Sequence, residues 1–178
     1  HKDDKIVILG MGSVGILTAY YYKLQKFKNV YINDNNIKKK KFSKILGLKF
    51  INFKKIKNAD VIINTTSDYE VLNQSLDKLT LEGKFIEASW YGDKKGQIKL
   101  GGNFHSKRLK IISSQVSKIP RYMSKRFNYK TRLNMAINAL SSDKLLKLVN
   151  TESNFHHLDK DYISIINNPD SIMHAIKY

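Results

Sequence analysis

The sequence has no cysteine. That excludes a disulfide framework, a thiolate nucleophile and a cysteine-ligated zinc site within these 178 residues. A reducing compartment is compatible with this, and the cytoplasm is the expected location. Long apolar runs are also missing. None approaches the roughly 18 residues that a bilayer-crossing helix needs, so no membrane association is expected. The first apolar stretch leads straight into a glycine turn, which is not the pattern of a secretory signal. Arginine is scarce, with Arg108, Arg121, Arg126 and Arg132 the only four among 32 basic residues. No Ser–His–Asp or paired-carboxylate constellation stands out, so no catalytic residue and no metal ligand is assigned. There is no internal repeat and no low-complexity linker.

What is present fits one globular domain better than two. The hydrophobic fraction is 42%, enough for a full core. The net charge of +17 usually points to nucleic acid. Here the excess is lysine, spread along the chain with one cluster at Lys38 to Lys41. It reads as solvated surface, and no nucleic-acid partner is expected. A basic stretch from Lys118 to Arg132, with Tyr122, Phe127 and Tyr129 interleaved, reads as an exposed connection. Its alternative is a seat for an anionic substrate group or nucleic acid. His105 can approach a substrate or an interface, or simply pack. His156 and His157 are adjacent, so their side chains diverge and do not chelate.

Apolar runs and turn signals alternate along the chain. Lys5 to Leu9 is predicted as a strand, its last four residues a continuous apolar run as in a strand buried on both faces of a parallel sheet. A helix is predicted over Ile16 to Lys26, with Ile16, Ala19, Tyr20 and Leu24 on one face. Further strands are predicted at Val30 to Asn33, Phe50 to Phe53, Ala59 to Asn64, Lys84 to Ala88 and Leu109 to Ser113. Helices are predicted from Asn35 or Asn36 to Leu46, ending at Gly47, and from Tyr69 to Leu79. Such alternation implies an α/β fold with a six-stranded, doubly wound parallel sheet. Tyr91 to Lys107 reads as a long irregular connection. The tail reads as helix at Tyr129 to Leu140, strand at Leu145 to Val149, helix at Asp159 to Ile166 and strand at Ile172 to Tyr178.

Chemistry is concentrated where strands end. Gly10-Met11-Gly12-Ser13-Val14-Gly15 follows a strand and opens a helix, the context that gives a glycine-rich pattern meaning. Gly10 allows the tight turn, Gly12 lets a pyrophosphate reach the backbone, and Gly15 allows close helix-on-strand packing. The free amides of Ser13, Val14 and Gly15 and the helix dipole then face the phosphates. Asp34 ends the second strand, where a carboxylate can accept from adenosine ribose hydroxyls. It would repel a 2′-phosphate, so NAD is the expected cofactor. Lys38 to Lys41 pull the other way and keep NADP as the alternative. Thr65 and Thr66 leave the fourth strand, and Ser89 and Trp90 leave the fifth. Both pairs lie at the carboxyl ends where ligands of these Rossmann sheets sit.

These motifs resemble those of the medium-chain, zinc-type alcohol dehydrogenases, in particular a bacterial subgroup of zinc-binding dehydrogenases. The similarity rests on the glycine turn and on Asp60-Val61-Ile62-Ile63-Asn64-Thr65-Thr66-Ser67, where Thr65 stands for the family's alanine and Ser67 for its glycine. It rests also on Glu82-Gly83-Lys84-Phe85-Ile86, Ser89-Trp90-Tyr91-Gly92-Asp93, Phe104 to Leu109, Ser113 to Val116 and the ending His174 to Tyr178. The resemblance implies an NAD(P)-binding part of an enzyme that moves hydride between an alcohol or carbonyl substrate and the cofactor. The family's lysine after strand two maps onto Lys39. Its zinc and proton relay lie in an amino-terminal GroES-like domain that these residues do not contain. The chain opens on His1-Lys2 and enters its first strand at once, so a preceding segment is expected, and residues 1–178 alone are expected to be inactive. The tail, from about residue 145 to 178, is then an extension that returns toward that domain. The family's pairing of cofactor domains implies a homodimer or homotetramer. The competing expectation is a non-catalytic Rossmann module that senses redox state or binds NAD as a regulator.

Overall fold

The computed structural model describes residues 1–178. Six strands form one parallel sheet: β1 (Lys5–Leu9), β2 (Asn29–Asn33), β3 (Lys49–Phe50), β4 (Ala59–Asn64), β5 (Leu79–Glu87) and β6 (Lys110–Ser113). Their spatial order is β3-β2-β1-β4-β5-β6. That is the doubly wound dinucleotide-fold order, with the reversal between β1 and β4 opening a crevice at the strands' carboxyl ends. The predicted sheet is therefore present.

Burial on both faces explains why β1 is apolar from Ile6 to Leu9. Ile6 and Ile8 point into one core and Val7 and Leu9 into the other, and none of the four is more than 2% exposed. The first core lies under α1 (Ser13–Leu24) and α2 (Lys40–Ile45) and takes in Met11, Ile16, Ala19, Phe42 and Leu46. The second lies under α3 (Tyr69–Leu76) and joins Leu72, Leu76, Phe85 and Leu109. Each fully buried aliphatic side chain of this kind contributes about 1.5–3 kcal/mol. The neighbours of β1 are in register, with Ile8 opposite both Ile32 and Ile63.

Several boundaries differ from the sequence expectation for local reasons. The third strand stops at Phe50, because Asn52 accepts from the Lys54 amide and caps a tight turn over Phe53–Lys55. The second helix begins as a single 3₁₀ turn, Ile37–Lys39, capped by Asn36, and ends before Gly47 in the left-handed region. α3 ends at Leu76, and Leu79 starts β5 instead. Leu24 is 43% exposed, so the buried face of α1 ends at Tyr20. The long connection after β5 carries one short helix, α4 (Asn103–Ser106).

The tail contains α5 (Tyr129–Leu140), β7 (Val149–Asn154), α6 (Leu158–Ile166) and β8 (Met173–Lys177). The strand expected at Leu145 to Val149 is corrected: Asp143–Leu148 is a run of 3₁₀ turns, and the strand follows it. The turn places Leu145 and Leu148 on the main core, together with Ile172. β7 and β8 pair in parallel as a separate two-stranded sheet.

Leu148 is fully buried, whereas Leu146 is 71% exposed. Leu148→Ala should cost about 2–5 kcal/mol in urea unfolding, and Leu146→Ala within about 0.5 kcal/mol. Equal effects would show that the tail is not part of the core.

Candidate dinucleotide site

The glycine turn is built by contacts that only glycine permits. Gly10 has φ +97° and its amide donates to the Asn33 carbonyl at 2.9 Å. A Cβ on Gly15 would stand 2.0 Å from the Gly10 carbonyl oxygen, so α1 leaves the end of β1 with no room for a side chain. At Gly12, by contrast, a Cβ would meet nothing within 4 Å. The backbone there is extended and opens α1, whose first intrahelical bond runs from the Ile16 amide to the Gly12 carbonyl. The amides of Ser13, Val14 and Gly15 precede that bond and lack helical acceptors. The arrangement fits an anion held against backbone.

A cavity of about 480 Å³ lies beside this turn. Gly10, Gly12, Asp34, Lys39, Thr65 and Thr66 line it, with Asn33 and Phe53 and, from the start of α3, Asp68, Glu70, Val71 and Gln74. The structure thus brings together six of the eleven expected site residues around one space. Ser13 and Val14 stand exposed at the helix start and Gly15 is buried behind it. Ser89 is half-buried beyond β5 and Trp90 is 85% exposed, and neither lines this cavity.

The carboxylate of Asp34 is held in place. One oxygen accepts from the Met11 amide at 2.6 Å and the other from the Asn36 amide at 2.7 Å. Each oxygen keeps a lone pair for a further donor. Thr65 closes the floor, its hydroxyl donating to the Leu9 carbonyl at 2.8 Å.

A polar network that the sequence reading missed fixes the exits of β4 and β5. Asn64 is fully buried and lies opposite Glu87 in the sheet. Its amide nitrogen donates to Glu87 at 2.9 Å and to the Tyr91 hydroxyl at 3.2 Å, and its oxygen accepts from the Thr66 hydroxyl at 2.7 Å. Glu87 also accepts from the Tyr91 hydroxyl at 2.7 Å, the Ser89 amide at 3.0 Å and the Ser89 hydroxyl. The Ser89 hydroxyl in turn accepts from the amide of Ser67, a residue at φ +56°. Ser67 occupies the left-handed conformation at the position where the resembled family carries glycine. The available signal was a carboxylate, Glu87, directly after the apolar pair Phe85-Ile86 at the strand's end.

Burial first, and then the hydrogen bond to Glu87, raise the Tyr91 phenol above its ordinary range. Zinc, which the family resemblance implies, does not fit residues 1–178. They contain no cysteine, and no three metal-ligating side chains converge. A second cavity, of about 590 Å³, lies against Ile86, Ile112 and α5, with Lys118 and Arg132 at its wall. His105 is exposed on α4, and His156 and His157 are exposed in a single turn before α6.

No protein-family model matches the sequence, and no curated protein matches it. Solved structures do share the fold. Bacillus subtilis 2R,3R-butanediol dehydrogenase superposes with a TM-score of 0.71 at 15% identity, covering 99% of this chain and 51% of its own. Haloferax mediterranei glucose dehydrogenase, solved with NADP, zinc and gluconolactone, gives 0.73 at 15%, covering 100% and 52%. Bacillus subtilis protein yhfP, solved with NAD, gives 0.72 at 14%, covering 98% and 54%. The chain spans about half the length of each of these proteins. At such identities the likeness defines the fold class: a doubly wound sheet of the kind found in about half of each of these structures.

The raised Tyr91 pKa favours the folded state while the phenol is protonated. This contribution is complete below about pH 10 and is lost as pH rises through the higher folded value. An absorbance titration of the folded protein should therefore be the same for Tyr91→Phe and the parent between about pH 9 and pH 10.5. A deficit of one phenolate in that window would contradict the assignment.

Proposed function

We propose that residues 1–178 are the nicotinamide-dinucleotide-binding half of an oxidoreductase that moves hydride between an alcohol and a carbonyl carbon. The observation that carries this reading is the open space at Gly12, facing the free amides of a helix start. A pyrophosphate there is met by Ser13, Val14 and Gly15. Asp34 takes the adenosine ribose hydroxyls with its remaining lone pairs, and Lys39 flanks it. Thr65 and Thr66 form the floor, and Ser89 and Trp90 lie toward the nicotinamide end. The nicotinamide supplies the redox chemistry when bound, and the chain binds and orients it. NAD is favoured over NADP because Asp34 stands where a 2′-phosphate would go.

The substrate is a small alcohol or its carbonyl, and a catalytic zinc and proton relay belong to sequence outside these residues. The isolated chain then binds cofactor without turnover. The protein works in the cytoplasm; no helix here is long and apolar enough to cross a membrane. A homodimer or homotetramer is supported by β6, which pairs only with β5 and leaves its other edge open. Nucleic acid is not a partner in this reading.

Calorimetry with NADH tests it. Gly12→Asp keeps a good helix cap but puts a like charge where the pyrophosphate binds, so affinity should fall by at least about tenfold with the unfolding midpoint little changed. Asp34→Gly should weaken NADH and relatively favour NADPH. A folded protein that binds neither nucleotide would sink the proposal.

A further inference from the structure

The segment between α6 and β8 reaches back across the molecule to the turn that carries Asp34. There Asp170 uses both carboxylate oxygens. One accepts from the Asn36 side-chain amide at 2.5 Å and the other pairs with the Lys38 ammonium at 3.1 Å. The Asn36 amide nitrogen also donates to the Pro169 carbonyl at 3.1 Å. On the other side, Asn36 accepts from the Lys38 backbone amide, and its own amide donates to Asp34. Asp34, Asn36, Lys38 and Asp170 are therefore one connected group.

Asp170 is itself held in place. Its amide donates to the Asn168 side chain at 3.0 Å, and its carbonyl accepts from Asn150 at 3.0 Å. Asn150 then accepts from the amide of Ile172, a core residue. A lone exposed ion pair is worth little. This one is positioned by the backbone of an ordered tail, and the two contacts lower the Asp170 pKa, Asn36 first and Lys38 second.

The arrangement bears on how the adenosine end is read. A 2′-phosphate is favoured by each free cation next to the ribose. Four lysines follow Asp34. Lys40 lies over the Phe50 ring at 5.6 Å and Lys41 over the Phe42 ring at 5.1 Å. Lys39 is the one of the four that lines the cavity, while Lys38 is held outside it by its pairing with Asp170. We infer that Asp170 is a cofactor-specificity residue: it withholds Lys38 from the adenosine end and so disfavours the 2′-phosphorylated dinucleotide. The inference rests on the dinucleotide reading above. It adds a determinant supplied by the C-terminal tail, more than 130 residues along the chain from the turn it controls.

Fluorescence titration of NADH and NADPH tests this on residues 1–178, with circular dichroism to verify folding. Asp170→Asn keeps a hydrogen-bond acceptor for Asn36 and frees Lys38. NADPH should bind about fivefold tighter, the scale of one exposed charge pair, while NADH changes by less than about twofold. Adding Lys38→Gln to Asp170→Asn should abolish the gain. A folded Asp170→Asn with an unchanged NADPH-to-NADH ratio overturns the inference alone. So does equal weakening of both nucleotides, which marks a structural brace, or a gain that survives loss of Lys38. A parent protein that binds neither nucleotide overturns the dinucleotide reading and this inference together.

Discussion

The contact between Gly15 and the Gly10 carbonyl governs everything around it. Because no side chain intervenes, the first turn of α1 sits directly on the end of β1. That closeness aims the helix's unpaired amides into the crevice between β1 and β4 instead of over the sheet. It also brings Met11 within reach of Asp34, so the carboxylate at the end of β2 is anchored by the same turn. Thr65 completes the junction from the β4 side by bonding to Leu9. Three strand ends are thus tied to one helix start, and the cavity is the space they enclose.

Much of this was legible in the sequence because it follows from strict local requirements. A strand buried on both faces is apolar through its middle, as Ile6 to Leu9 and Val61 to Ile63 are, and β1 and β4 were predicted with their observed limits. The glycine spacing reflects steric exclusion and survives any change of surrounding sequence. Boundaries were lost where short polar side chains intervene. Asn52 turns a hydrophobic run into a bend, and Asp143–Leu148 coils where its leucines suggested a strand. Both outcomes depend on tertiary packing and on capping, and neither leaves a periodic signal.

The site was legible only in its linear part. Gly10, Gly12, Asp34 and Thr65 belong to motifs with fixed spacing. Glu87 became visible through its partners, since Asn64, Ser89 and Tyr91 converge on it from two strand exits. Asp170 has no motif at all. Its meaning comes from the return of the tail to the turn between β2 and α2, a long-range contact that no local window of sequence contains.

The burial of Leu145, Leu148 and Ile172 in the same core as β1, α1 and α2 also has a temporal meaning. Residues 6–20 share a core with residues 145–172. During synthesis the α1 face of the sheet stays partly uncovered until Ile172 has left the ribosome. Only the α3 face, whose apolar members all precede residue 112, can close early. Such long-range closure slows folding and lengthens the exposure of apolar surface. The fold therefore keeps an open apolar face until its last core residue is made, and closure of that face is a late step.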